Sequence, residues 1–343
     1  MTTSRVVRLK VLDAAPLLLL VVILLAFGAV SSSFLAPANL LQILVQASSL
    51  GIVAVGMTLV LLTGGVDLAA GSLMFFSAGV AGWLLLHAFS LPLSLGAALA
   101  TGLIAGFANG LLVAKLRLMP FVVTLATLYL WRGVGLNLTQ TRAMNLPEGI
   151  LRLAATRLAG VPAPVWILTG VLASVHLLLS RTQFGRQIYA AGNDPAGARR
   201  AGVPVPRILV VAYAVSGMCA AVGGLVAVSQ LGAVSPTFGS QREFAAIAAA
   251  VLGGASLFGG RGTVFPGTLI GAVLIQSIEN GLVITGADPY LFPMITAAVI
   301  FTAVFLDSVR RRNLENLRRR KVRGPGLPES NSTTKGVTTD VSL

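Results

Sequence analysis

The succession of long apolar segments constrains this chain more than any other feature. About twenty mostly apolar residues cross the roughly 30 Å hydrocarbon core of a bilayer as a helix. The segments are long and continuous, whereas strands of membrane barrels are short and alternating, so the sequence predicts an all-α, polytopic membrane protein. The ten segments lie near residues 15–35, 40–62, 69–90, 92–114, 120–139, 164–180, 207–229, 243–260, 264–285 and 290–307.

Composition supports this fold class and excludes several functions. Only 10% of the 343 residues are charged and 55% are hydrophobic, whereas soluble domains carry roughly 25% charged residues. The single cysteine, Cys219, excludes an internal disulfide or a cysteine cluster, and two histidines are too few for a multi-histidine metal site. No Walker motif, catalytic triad or carboxylate pair stands out. We therefore expect no enzyme activity and no cofactor bound by this chain.

The distribution of Lys and Arg predicts the orientation, because positively charged loops stay in the cytoplasm. With ten spans, most of the 25 basic residues fall on the side of both termini. We predict a cytoplasmic segment at 1–14, a transmembrane domain at 15–307 and a basic, largely disordered cytoplasmic tail at 308–343. The basic residues that fall elsewhere are Arg132, Arg142, Arg152, Arg157 and Arg242.

Each end of the chain also has a second interpretation. The basic and then apolar N-terminus resembles a cleaved secretory signal, but cleavage would remove a span and spoil the charge parity. The segment RRRNLENLRRRKVRG suits either nucleic acid or an anionic lipid leaflet, and its position after a span favours the leaflet.

Two segments of the chain echo each other. LTGGVDLAAG begins at Leu62 and LGGASLFGG at Leu252, and their alignment pairs Gly64 with Gly253. The same register pairs Asp67 with Ser256. Transporters are often built from such repeats, so we predict two pseudo-repeated halves of about five spans, with chance similarity in a Gly-rich chain as the alternative.

Glycine also recurs at helical spacing within the spans. Gly102, Gly106 and Gly110 are four residues apart on the fourth span. Small residues let helices approach closely in lipid, so this ladder predicts tight helix packing, with the lining of a path as the alternative.

Polar residues inside the spans are candidates for function, because buried ionisable groups are costly in lipid. Asp67 and Glu243 are expected at span ends near water, and Glu279 deep within a span. Amides and hydroxyls both donate and accept hydrogen bonds, which suits a neutral polyhydroxylated ligand, although interhelical bonding is their ordinary role. The candidate substrate-path residues are Gln46, Thr58, Asp67, Asn109, Thr124, Gln276, Glu279 and Asn280.

The loop at 181–207 contains a predicted short helix. Asp194-Pro195 is a helix start signal with Asn193 or Asp194 as the N-cap, and a helix over Pro195–Ala201 would end at Gly202. An exposed helix that is small on one side and basic on the other is poorly explained by packing. We therefore predict that it docks into another protein.

Four motifs, in order, resemble one family of membrane proteins. The sequence is similar to the permease subunits of ribose-type ABC importers over roughly residues 35–307. The resemblance implies a homodimer or heterodimer of permeases, two ABC ATPase subunits that hold ATP and Mg²⁺, and a periplasmic sugar-binding protein, in a bacterial inner membrane. The motifs are GIVAVGMTLVLLTGGVDLAAGSL, NGLLVAKLRLMPFVVTLATLYLWRG, FGRQIYAAGNDPAGARRAGV and VLGGASLFGGRGTVFPGTLIGAVLI.

The resemblance implies a monosaccharide such as ribose, xylose, arabinose or galactose as substrate, and a coupling helix within 181–207. Ala69-Ala70 departs from the family's common Ser-Val, and Arg199-Arg200 is more basic than is typical. The alternative is a stand-alone secondary transporter or channel, which would require a dense charge relay within the membrane. The residues expected to couple to the ATPase are Gly185, Arg186, Gly192, Asn193, Asp194, Ala198, Arg199 and Gly202.

Overall fold

The structure is a computed structural model. Most of the residues that it describes lie in helices. The structure describes residues 3–288, 290–291, 293–295, 297–298, 301–302 and 305, with side chains from Pro16 onward. Helix α1 already begins at Thr3, within the segment expected to precede the first span. The helices are α1 (Thr3–Val30), α2 (Pro37–Leu62), α3 (Ala70–Leu86), α4 (Leu91–Lys115), α5 (Pro120–Leu138), α6 (Glu148–Ala155), α7 (Ala163–Arg181), α8 (Gln183–Asn193), α9 (Pro195–Arg200), α10 (Val205–Leu231), α11 (Arg242–Leu252) and α12 (Leu269–Ile284).

The polytopic membrane fold is confirmed, although the count of ten spans is not established. Within the described part, six helical stretches are long and apolar enough to cross a membrane, and Pro16–Val30 and Ala70–Leu86 are shorter apolar helices. The six correspond to α2, α4, α5, α7, α10 and α12 with the helical turn Val264–Thr268 before it. The predicted tail and much of the predicted last span lie outside the described residues.

The predicted span at 243–260 is wrong. Helix α11 has 11 residues, which at 1.5 Å per residue is about 16 Å, half the hydrocarbon thickness. It ends because Gly254 adopts a left-handed backbone (φ +97°) and because the backbone of Gly267 occupies the space beside Gly253. The predicted span joined apolar residues that lie before and after the end of α11, because hydropathy does not show where a helix ends.

Short strands mark one end of the helix bundle. They are β1 (Met144–Asn145), β2 (Arg157–Leu158), β3 (Val161–Pro162) and β4 (Ala233–Val234), paired antiparallel as β1 with β4 and β2 with β3. Helix α7 starts directly after β3 and runs to α8 and α9. The strands and α8–α9 therefore lie at opposite ends of α7.

Helix α10 is central to the bundle and packs most extensively against α4 and α2. The glycine ladder of α4 lies on this interface, as predicted. A Cβ at Gly102 or Gly106 would collide with the backbone of Gly217 or Tyr213. Because there is no side chain between them, the two helices meet backbone to backbone.

Candidate functional site

The loop between α7 and α10 folds into two capped helices. At the start of α8, the Thr182 hydroxyl accepts a hydrogen bond from the Gly185 amide at 3.2 Å. At the start of α9, the Asp194 carboxylate accepts from the amides of Ala196 and Gly197 at 3.1 and 2.9 Å. The predicted cap and short helix are confirmed, because the Asp194 carboxylate satisfies amides that lack partners within the helix.

Helix α9 projects from the bundle. After it ends, Gly202 adopts a left-handed backbone (φ +79°) that glycine accommodates without strain. Ala198 is buried, whereas Asn193 and Arg199 are exposed, as is Arg186 on α8. The inner side of α9 is thus small and apolar, and its outer side is basic and open.

Helix α8 is tied to two distant parts of the chain. The backbone of Gly192 contacts the Leu62 carbonyl and the Gly260 amide, and that amide donates to the same carbonyl at 2.9 Å. The Tyr189 hydroxyl donates to the Gly262 carbonyl at 2.9 Å. A displacement of α8 would therefore reach both segments that echo each other in the sequence.

The first of these segments, residues 63–69, is called the first break because it separates α2 from α3. Helix α2 ends at Leu62, and Gly64 then adopts a left-handed backbone (φ +80°). The Gly65 amide donates to the Val60 carbonyl at 3.2 Å. A left-handed glycine with this bond is a common helix end.

The second segment, residues 253–263, is called the second break and ends α11 in the same way. Gly254 is left-handed, and the Ala255 amide donates to the Ala250 carbonyl at 3.0 Å. The structural equivalent of Gly64 is therefore Gly254 and not Gly253. The register predicted from the sequence is wrong by one residue, because the shared glycine pair was aligned instead of the left-handed position.

Asp67, in the first break, is fully buried. Its carboxylate accepts from the Ser216 hydroxyl at 2.8 Å and from the Ala69 amide at 3.1 Å. Ser216 lies near the middle of α10, so the first break returns into the bundle before α3 begins. The expected position of Asp67 at a span end near water is wrong.

Glu243 and Glu279 also exchange their expected environments. Glu243 is only 6% exposed, and its carboxylate lies against the backbone of Gly71 at the start of α3. Glu279 is instead partly exposed and pairs with Arg242 at 3.6 Å. The side chain expected to be deep is therefore the more accessible of the two.

Several candidate path residues form a seam of hydrogen bonds that leads from α2 to α12. The Gln276 amide donates to Gln46 at 3.1 Å, and Asn39 donates to Asn280 at 3.0 Å. Farther along α2, the hydroxyls of Thr58 and Thr268, just before α12, lie 2.7 Å apart. These residues bond helix to helix, which is the ordinary role of polar groups in membrane helices.

Thr124 and Asn109 are the two further candidates. The Val66 carbonyl, in the first break, accepts from the Thr124 hydroxyl at 3.1 Å and from Tyr213 at 3.3 Å. Asn109 is fully buried, and its amide has no hydrogen-bond partner in the described part of the chain. Apart from Asn109, the candidate path residues are thus distributed over the seam, the first break and the Arg242–Glu279 pair.

The sequence analysis did not select Ser216, Tyr213, Tyr189 or Arg132 as site residues. Arg132 falls within the predicted fifth span at 120–139, and a charge at that position could have placed it in the site. Its guanidinium donates to the Phe238 carbonyl at 2.6 Å and lies 4.8 Å from the centroid of the Phe75 ring. The hydroxyl partners give no such signal, because an uncharged hydroxyl on a helix does not by itself mark a site.

Comparison with known proteins agrees with this architecture. The family model described as the permease component of branched-chain amino acid transport systems matches residues 39–304. The ribose import permease protein RbsC of Escherichia coli strain K12 is 37% identical over 307 residues, covering 88% of this chain and 95% of that protein. The autoinducer 2 import permease LsrC of Salmonella typhi is 36% identical over 311 residues, covering 90% and 89%. No solved structure matches the chain.

These matches extend over nearly all of the transmembrane domain and include the four motifs and both breaks. The resemblance found in the sequence is therefore confirmed. The chain belongs to this family of ABC-importer permeases, as a multi-pass membrane subunit.

Proposed function

We propose that this chain is the permease of an ATP-driven importer for a small polyhydroxylated solute of the monosaccharide class. The similarity to a ribose permease and an autoinducer 2 permease supports a solute of this kind. In this proposal a separate ATPase supplies the energy, and a binding protein outside the membrane delivers the solute. A second permease completes the transmembrane unit.

The observation that carries the proposal is the connection of α9 to both breaks. Helix α9 is exposed and basic on its outer side. The preceding helix, α8, contacts the Leu62 carbonyl and the Gly260 amide through Gly192. An ATPase that moves α9 would thus move the end of α2 and the second break together. We propose that this coupling opens and closes the route, with α8–α9 and both termini in the cytoplasm.

The direct test is reconstitution of the chain with its ATPase and binding protein in vesicles. We expect sugar uptake that requires ATP and all of the subunits. Uptake that persists without the ATPase would refute the proposal and support the stand-alone transporter. The solute itself would be identified by calorimetry of the binding protein against pentoses, hexoses, polyols and deoxysugars.

A charge reversal tests the coupling surface. We expect Arg199→Glu to lower co-purification of the ATPase by at least tenfold, because Arg199 is exposed on α9, while membrane insertion is unchanged. Arg157→Glu is the matched control, since Arg157 is exposed on β2 at the other end of α7. Equal loss of the ATPase in both variants, or loss of insertion in Arg199→Glu, would contradict the assignment.

A further inference from the structure

The first turn of α11 and the residues before it form an exposed polar patch. Ser240 and Gln241 are exposed, and Arg242 is partly exposed. From Ala245 to Leu252 every residue of α11 is buried. The helix therefore reaches the surface only at its polar beginning.

This patch lies beside the apolar part of the neighbouring helix α12, before that helix ends. Helices α11 and α12 run antiparallel, and Arg242 faces Glu279 at 3.6 Å. Glu279 precedes the last residue of α12, Ile284, by five residues, or about 7 Å at 1.5 Å per residue. The flanking residues Val283 and Phe244 are apolar and 63% and 45% exposed.

A charged pair in this position is costly against lipid. The side chains of Arg242 and Glu279 keep 43% and 25% of their accessible surface. Ionisable groups within membrane proteins face the bundle interior or a water-filled cavity, because hydrocarbon does not solvate them. By contrast, Ile104 near the middle of α4 and Leu130 near the middle of α5 are exposed and apolar.

The patch is also held in place from behind. Arg132 donates from α5 to the carbonyls of Phe238 and Pro236, at 2.6 and 3.4 Å. On the other side, the buried carboxylate of Glu243 lies against the backbone of Gly71. The turn that presents the patch is thus fixed to both α5 and α3.

We infer that Ser240, Gln241, Arg242 and Glu279 line the water-filled route along which the sugar passes. Their hydroxyl, amide, guanidinium and carboxylate groups can both donate to and accept from sugar hydroxyls. This inference rests on the proposed function for the identity of the solute. The surface exposure of these groups rests on the structure alone.

Cysteine accessibility tests the inference in the assembled transporter. The background is Cys219→Ser, because Cys219 is buried and is the single cysteine of the chain. We expect Gln241→Cys to react with a charged, water-soluble thiol reagent at least tenfold faster than Leu130→Cys. Leu130 is exposed on apolar α5, so its cysteine is expected to react only with a lipid-soluble maleimide. Ser240→Cys is a second probe if Gln241→Cys does not assemble.

The outcomes separate this inference from the proposed function. Slowing of the Gln241→Cys reaction by the transported sugar, with binding protein present, would support a sugar route. Reaction only with the lipid-soluble reagent, no reaction in the assembled complex, or reaction unaffected by sugar would each overturn it. Labelling needs no ATP hydrolysis, so loss of ATP-driven uptake would count against the proposed function and leave the labelling result unchanged.

Discussion

The two breaks begin alike and continue differently. In each, a helix ends at a leucine, the next residue keeps a helical backbone, and a left-handed glycine follows. The first break then enters the bundle until Asp67 bonds to Ser216. The second break instead folds on itself, with the Ser256 amide donating to the Arg261 carbonyl at 2.9 Å.

This difference teaches that the helix end is a local property and that the continuation depends on later residues. Both breaks lie against α8, the first at Leu62, which precedes it, and the second at Gly260. In the structural register Asp67 corresponds to Leu257, which has no group to bond into the bundle. One carboxylate therefore distinguishes a segment that enters the bundle from one that stays near its end.

The largest expected effect comes from a change that disturbs both breaks at once. A Cβ at Gly192 would collide with the Leu62 carbonyl and lie 2.6 Å from the Gly260 amide. Overpacking costs about 1–3 kcal/mol, and more where backbone must move. We expect Gly192→Val to abolish recovery of folded protein or to give the largest loss of stability, measured by denaturation in mixed micelles.

Gly170→Val is the control for this variant. Gly170 lies within α7, and a Cβ there meets nothing within 4 Å. Its stability should stay close to that of the parent protein. Equal losses in the two variants would show that Gly192 does not join the breaks in the way that its contacts indicate.

The next effect distinguishes the breaks. Asp67→Ala removes the acceptor for the Ser216 hydroxyl and the Ala69 amide, and an unsatisfied buried group costs about 1–3 kcal/mol. We expect a loss of about 3 kcal/mol, again measured by denaturation in mixed micelles. Asp67→Asn should lose less, because its amide can accept from Ala69 and donate to Ser216.

Leu257→Ala is the matched change in the second break. Leu257 is only partly buried, so truncation should cost about 1 kcal/mol from apolar area alone. A larger loss for Leu257→Ala than for Asp67→Ala would show that the first break is not anchored by its carboxylate.

Alanine substitutions test the structural register of the breaks. Gly64 and Gly254 are both left-handed, and a Cβ at either has nothing closer than 3.8 Å. Since the left-handed backbone costs a residue with a Cβ about 1–2 kcal/mol, Gly64→Ala and Gly254→Ala should be equally destabilised. Gly253→Ala should lose more, because its Cβ would collide with the backbone of Gly267. A neutral Gly254→Ala would restore the register predicted from the sequence.

Much of the fold could be predicted because its signals are local. The apolar segments predicted most of the long helices. Asp194-Pro195 predicted the start of α9 because a cap depends only on neighbouring residues. The spacing of Gly102, Gly106 and Gly110 predicted tight packing of their helix, and the structure shows that the partner is α10.

The site was less predictable because depth is not a local property. Hydropathy cannot show that the first break returns into the bundle, so Asp67 was expected near water. It also cannot show that α11 stops at Leu252, which reversed the environments expected for Glu243 and Glu279. The partners of the path residues come from distant helices. The spacing of these residues in the sequence therefore could not distinguish hydrogen bonds between helices from the lining of a substrate route.

The smallest expected effect concerns the second break alone. Burial raises the pKa of the Tyr189 phenol above its ordinary value, so the hydroxyl stays protonated and donates to the Gly262 carbonyl at 2.9 Å. Tyr189→Phe removes this one bond, which costs about 1 kcal/mol. We expect ATP hydrolysis to continue while sugar uptake per ATP falls, because α8 then holds the second break less firmly.

The pH dependence checks the physical reason. The pKa of Tyr189 is raised in the folded state. The free energy of unfolding of the parent protein should therefore exceed that of Tyr189→Phe by a constant amount below about pH 10. This excess should decline above about pH 10, where the unfolded phenol ionises. Tyr129→Phe is the control, since Tyr129 is 71% exposed on α5. A difference in the free energy of unfolding between parent and Tyr189→Phe that changes between pH 6 and 9, or an equal loss in Tyr129→Phe, would exclude this hydrogen bond as a link between α8 and the second break.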